Sequence, residues 1–126
     1  MEDILELDLR EPVRVDPDRL VELCVELGEM KAEQLITTTM EELANGMMEL
    51  DRAFTAQDVE RLIANADTLV SKAQKIGMTT FSRVADDVAS CARASDSISL
   101  AATLNRLRRI ADRSLSAVWD MQDLSG

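Results

Sequence analysis

Few side chains in this sequence are of the types that carry out catalysis. The 126 residues include no histidine and two cysteines, Cys24 and Cys91, which lie far apart in the chain. A serine or cysteine nucleophile needs a neighbouring base, and without histidine neither a Ser–His nor a Cys–His pair can form. Two cysteines alone do not complete an ordinary structural zinc site, and we find no glycine-rich phosphate loop. We therefore predict a protein that is not an enzyme and has no cofactor or metal, with both cysteines reduced and buried in the core.

Asp67 has the most distinctive surroundings of any carboxylate in the chain, within the segment ADTLVSKAQKIG at positions 66–77. At about 100° per residue, Asp67 lies away from the apolar stripe of its helix, in a row that we expect to face outward. This docking row consists of Glu60, Ala64, Asp67, Ser71 and Gln74. Its small residues leave a shallow surface on which another protein could approach. The alternative is that Asp67 is a solvated carboxylate with no role.

An aspartate can carry phosphate when neighbouring acids hold Mg²⁺ against its carboxylate. The positions three and four residues from Asp67 are apolar or small: Ile63, Ala64, Val70 and Ser71. Its own helix therefore supplies no metal site, and we expect no phosphorylation at Asp67.

The composition is typical of a helical protein. Hydrophobic residues make up 46% of the chain, but only 2% of it is aromatic, and glycines and prolines are few. Such a core consists mainly of aliphatic side chains and methionine. Met47, Met48 and Trp119 are predicted to pack in the core or at its edge.

Charge is distributed unevenly along the chain. Residues 1–60 contain 17 acids and 5 bases, a net −12, whereas residues 61–126 contain 7 acids and 9 bases, a net +2, which together give −10. We expect no nucleic-acid partner, because nucleic-acid binding needs clustered bases. The one basic cluster is Arg106, Arg108, Arg109 and Arg113. We interpret it as a solvated helix surface that pairs with the acidic half.

The N-terminal sequence lacks the features of a signal peptide, and no apolar run has the length of a membrane span. We predict a cytoplasmic protein with no membrane partner.

The pattern of apolar residues predicts five helices. Asp16-Pro17 begins a short first helix that Gly28 ends, with Leu20, Val21, Cys24, Val25 and Leu27 on its apolar side. A second helix is predicted from about Met30 to Asp51. A capping box of Thr55 and Asp58 opens the third helix, which Gly77 closes.

The last two helices follow the same pattern. Thr79 or Thr80 caps the fourth helix, the stretch 94–97 ends it, and the fifth helix begins near Leu100. We predict an all-α fold, an antiparallel up-down four-helix bundle with an additional short N-terminal helix. Its boundaries are an N-terminal arm at 1–15, either extended or a short helix lying over the bundle, a bundle at 16–121 and a polar C-terminal tail at 122–126.

The segment 66–77 resembles the AHxLKGxAxxxG signature of histidine phosphotransfer (HPt) domains. Ala66, Leu69, Ala73 and Gly77 match this signature. The likeness extends over roughly residues 16–120, because DPDRLVELCVELG at 16–28 and AFTAQDVERLIANADTL at 53–69 are also similar to HPt sequences. The resemblance implies the same bundle, with a docking surface for a receiver domain around position 67.

Three positions depart from the signature. Asp67 stands in place of the phosphorylated histidine, Val70 in place of lysine and Ser71 in place of glycine. In the family, the lysine helps to hold the phosphoryl group and the glycine leaves room for it and for the receiver. The resemblance therefore implies a protein that docks but does not relay phosphate.

These observations give two functional hypotheses. The first is a phosphotransfer-incompetent HPt-like domain that binds a response-regulator receiver domain or a histidine kinase and modulates two-component phosphorelay signalling. The second is a structural homodimer or adaptor bundle with no two-component partner, whose interface uses the N-terminal arm or the third helix.

Overall fold

The structure is a computed structural model that describes residues 13–125, with side chains as far as Ser114. Its helices are α1 (Pro17–Leu27), α2 (Glu29–Thr55), α3 (Val59–Lys75), α4 (Thr79–Arg93) and α5 (Ser97–Ser125). Residues 13–125 contain no strand. The predicted all-α fold with a short first helix is thus confirmed. Most of the arm at 1–15, predicted to be either extended or a short helix, lies outside the described residues.

Each helix packs against the next one in the chain, and α2 also contacts α5. Connections of three residues join α2 to α3, α3 to α4 and α4 to α5. Helices that are linked this closely and packed side by side run in opposite directions. Among the described helices, none combines the length and hydropathy that a membrane crossing requires.

One hydrophobic core connects all five helices. Leu23 of α1, Leu43 of α2, Leu69 of α3, Phe81 of α4 and Leu107 of α5 all belong to it. Most of the apolar residues that recur every three or four positions along α2, α3 and α4 are buried here. Val59 is an exception, because it is half-exposed at the start of α3.

The apolar side predicted for α1 is only partly buried. Leu23 is its buried residue, while Val21 and Val25 are 60% and 79% exposed. Cys24 is also exposed, so the prediction of a core cysteine is wrong there, and Cys91 is only partly buried. The apolar residues of α1 occupy more than half of its circumference, and the bundle covers only the part centred on Leu23.

Both ends of α1 are capped as predicted, whereas the starts of α3 and α4 differ from the prediction. Asp16 accepts a hydrogen bond from the Asp18 N–H at 3.0 Å, and Gly28 ends α1. Asp58 alone caps α3, accepting from the Arg61 N–H at 3.2 Å. Thr55 is the last residue of α2 and takes no part in a capping box, because α2 continues past the predicted end at Asp51.

Thr79 and Thr80 do not cap α4, contrary to prediction. Met78 occupies the cap position without a side-chain hydrogen bond. The Thr80 hydroxyl oxygen instead accepts from the Arg14 N–H at 2.7 Å, and the Thr79 hydroxyl donates to the Arg14 carbonyl at 3.1 Å. Both threonines therefore hold the segment before α1 against the start of α4.

The turn between α3 and α4 anchors α1. The Asp16 N–H donates to the Gly77 carbonyl at 2.7 Å, and the Arg19 side chain donates to the Lys75 carbonyl at 3.1 Å. Gly77 has φ +75°, and a Cβ there would lie 2.8 Å from the Asp16 carbonyl oxygen. Only glycine allows this close approach without strain.

Two further predictions are wrong, and a third concerns a side chain that the structure does not describe. Met48 is 55% exposed and does not pack in the core, whereas Met47 packs against it. Helix α5 continues to Ser125, through most of the predicted tail at 122–126. The Trp119 side chain lies outside the described residues.

Candidate functional site

The inner side of α3 holds the docking row in place. Leu62, Ala66, Leu69 and Ala73 are buried along one side of the helix. Because this side is fixed in the core, the opposite side must face solvent. The residues of the docking row lie there: Glu60, Ala64, Ser71 and Gln74 are exposed, and the Asp67 side chain is 46% exposed. The prediction that the row faces outward is confirmed.

Asp67 is paired with a residue that the sequence analysis did not identify. The guanidinium of Arg93, the last residue of α4, donates to Oδ2 of Asp67. Both side chains are about half-exposed, at 50% for Arg93 and 46% for Asp67. The carboxylate at the centre of the row is therefore compensated within the chain.

Helix geometry explains why these two side chains meet. Cα–Cβ bonds point toward the N-terminus of their own helix. Since α3 and α4 run in opposite directions, the side chains of Asp67 and Arg93 lean toward each other. The pair depends on the register of α3 against α4, and nothing in the local sequence around either residue reveals that register.

A shallow depression of about 420 Å³ adjoins Asp67, lined by Asp67, Thr68, Ser71, Lys72 and Lys75. The Thr68 hydroxyl donates to the Ala64 carbonyl at 3.0 Å, so it is turned along its own helix. Lys72 donates to Glu42 of α2. The depression therefore combines one compensated carboxylate with two lysines and a small serine.

The three departures from the HPt signature are divided between two depressions. Ser71 lies with Asp67 in the first, and Val70 lines the second. Val70 lines a separate depression of about 350 Å³ toward α4, together with Gln74, Thr79, Ser82, Arg83 and Asp86. Ser82 donates to the Val70 carbonyl at 3.4 Å. The structure thus brings Asp67 and Ser71 together in one depression and places Gln74 in the other.

The chemistry open to this site is recognition by charge and shape. Among the residues that the structure describes, no group of three acids, cysteines or histidines is arranged to hold a metal ion. Asp67 has a guanidinium beside it where an acyl phosphate would need a metal. Lysines, a serine hydroxyl and an ion pair can contact a protein surface, and Lys72, Lys75 and Thr68 extend the predicted set of contact residues.

One member of the basic cluster, Arg108, pairs with the acidic half of the chain, as predicted. Arg108 of α5 donates to Asp51 of α2 at 2.9 Å and 2.7 Å through two of its nitrogens. Arg106 approaches Asp87 of α4 at 3.7 Å. Arg108 thus contacts the acidic half of the chain, whereas Asp87, beside Arg106, lies in the other half.

Comparison of the chain with protein-family models, with curated proteins and with solved structures finds no match.

Proposed function

We propose that this protein is an HPt-like bundle that binds a receiver domain of a response regulator, or a histidine kinase, without transferring phosphate. It modulates a cytoplasmic two-component phosphorelay by occupying its partner. The single observation that carries the proposal is the position of Asp67, at the place of the signature histidine and half-exposed on the outer side of α3.

The surroundings of Asp67 support docking over catalysis. Small residues at Ala64 and Ser71 leave the middle of α3 open to an approaching helix. The chain contains no histidine that could take the place of Asp67 as a phosphoryl acceptor. Beside Asp67, Lys75 supplies positive charge for the acidic surface of a partner, while Arg93 and Lys72 are paired with Asp67 and Glu42.

Docking is tested by titrating the protein against purified receiver domains and histidine kinases encoded in the same genome. We expect a saturable complex with at least one of them. Ala64→Arg places a large charged side chain in the docking row, and we expect it to weaken the complex about tenfold or more. Ala44→Arg is the matched control, because Ala44 is exposed on α2 and lies outside the row. Absence of binding to every candidate would defeat the docking proposal.

The non-relay part is tested by incubating the protein with a phosphorylated receiver. We expect no label on the protein even where a complex forms. Label mapped to a side chain of this chain would contradict the proposal. The size of the protein in solution distinguishes the docking proposal from the homodimer hypothesis. A tight dimer that buries the docking row would favour the homodimer.

A further inference from the structure

The exposed apolar side chains of the described residues are concentrated in one place. Four of the seven large ones lie between positions 21 and 30, at the end of α1 and the start of α2: Val21, Val25, Leu27 and Met30. Val25 and Met30 are 79% and 74% exposed. Scattered exposed apolar residues are normal, but a group of this kind marks an interaction surface.

On α1 these residues form a continuous stripe. Val21 and Val25 are one turn apart, and exposed Cys24 lies beside them. The stripe borders the side that carries Leu20 and Leu23 into the core. Since α1 is fixed at its start by the contacts of Asp16 and Arg19 with the α3–α4 turn, it cannot rotate to bury the stripe.

Carboxylates surround this surface. Asp18, Glu22, Glu26, Glu29 and Glu33 are all exposed, against two bases, Arg19 and Lys31, in residues 18–33. Arg19 is already engaged by Glu22 at 3.0 Å. Residues 18–33 thus carry a net charge of −3, from five acids and two bases, and this excess favours a positively charged partner.

We propose that this surface binds a cationic amphipathic helix of a partner protein, a helix with one apolar side flanked by lysine and arginine. Such a helix covers Val21 and Val25 with its apolar side and meets Glu26 and Glu29 with its bases. A second copy of the chain would bring the same carboxylates face to face. Residues 1–12 contain five acids and one base, so they carry the wrong sign as well. This inference is independent of the docking row on α3.

Cys24 provides a local reporter, because it is exposed within the stripe while Cys91 is partly buried. The probe is a synthetic peptide of about 18 residues, about five helical turns, with leucine at positions i, i+3 and i+4 and lysine elsewhere. Alkylation of Cys24 is followed by mass spectrometry at increasing peptide concentration. We expect saturable protection of Cys24, and none from a peptide with glutamate in place of every lysine.

The double variant Val21→Gln/Val25→Gln removes the apolar stripe without changing the charge of α1, and glutamine has a higher helix propensity than valine. We expect it to weaken peptide binding about tenfold or more. Ile98→Gln is the matched control, because Ile98 is 84% exposed at the start of α5. Ala64→Arg, which disrupts the docking row, should leave peptide protection unchanged, so the two proposals fail separately.

Three outcomes would overturn the inference. Equal protection of Cys24 by the glutamate peptide would show that binding does not depend on the positive charge of the peptide. Undiminished protection of Cys24 in the double variant would show that binding does not depend on the apolar stripe. Protection of Cys24 that rises with protein concentration alone, together with a dimer in sedimentation, would make a second copy the occupant.

Discussion

At the centre of the docking row, the carboxylate of Asp67 is shared with a guanidinium from the neighbouring helix. Surface ion pairs of this kind contribute little to stability, because water screens both charges and the two side chains lose freedom when they pair. The role of the Asp67–Arg93 pair is therefore to set the charge and shape of the surface.

We expect the variants Asp67→Ala and Arg93→Ala each to change the free energy of unfolding by no more than about 1 kcal/mol. Urea titrations of both variants and of the double variant give the coupling energy, which should lie between about 0.2 and 1 kcal/mol. A loss of several kcal/mol would show that the pair is structural. Loss of partner binding in these variants could then not be assigned to the docking row.

Restoring the signature gives a sharper test at the same residues. The triple variant Asp67→His/Val70→Lys/Ser71→Gly carries an exposed imidazole with the family's lysine and glycine beside it. We expect this variant to take label from a phosphorylated receiver that binds the natural protein, and the natural protein to take none. A triple variant that binds but stays unlabelled would show that the docked geometry differs from that of an HPt domain.

At the scale of single helices, α2 and α3 approach each other closely at Gly46. A Cβ at position 46 would lie 2.5 Å from Cδ2 of Leu69, a side chain that is itself buried in the core. The sequence marks Gly46 as a weak point of α2, because glycine has low helix propensity. The structure supplies its reason, since a Cβ at this position would have to displace the buried Leu69 side chain.

We expect Gly46→Ala to lower the free energy of unfolding by about 1–3 kcal/mol, although alanine has the higher helix propensity. Urea denaturation measures the change. Asn45→Ala is the control, because Asn45 is exposed on the same turn and alanine should be neutral or mildly stabilising there. Stabilisation by Gly46→Ala would mean that Leu69 can move aside at no cost.

The sequence predicts the number and type of the helices well, because each long helix has a single apolar stripe. It predicts α1 poorly, since the apolar residues of α1 spread over more than half of its circumference and the bundle covers only part of that arc. Which half is covered depends on the α3–α4 turn that holds Asp16, a contact between residues far apart in the chain. The same limit applies to the candidate site, where Asp67 could be identified but Arg93 could not.

For the whole molecule, the division of charge between helices has consequences for binding. Helices α1 and α2 contain nine acids and three bases, a net −6, whereas α3 and α4 contain four acids and five bases, a net +1. The docking row and the stripe on α1 therefore lie in different electrostatic surroundings. The two surfaces can bind partners of different charge.

Stability should depend on pH in the acidic range. The hydrogen bond from Arg61 is the main cause that lowers the pKa of Glu49, and nearby Arg52 adds to it. The backbone N–H and the hydroxyl of Ser99 lower the pKa of Asp96. Since folding lowers both pKa values, the resulting stabilisation is present above the ordinary carboxyl pKa of about 4 and is lost as the pH falls below it.

We expect the free energy of unfolding to decrease as the pH falls from about 5 to about 3, and to decrease less steeply in Glu49→Gln/Asp96→Asn. Urea titrations at each pH measure both slopes. Identical slopes for the two proteins would show that these carboxyls have the same pKa in the folded and unfolded chain.

The contact between Asp67 and Arg93 also determines how a partner can use this carboxylate. A basic group that reaches for Asp67 must first displace the guanidinium already there, so association exchanges one ion pair for another. Such an exchange adds little to the affinity, because the bond gained replaces a bond given up. We then expect discrimination between partners to depend on their fit to the depression beside Ser71.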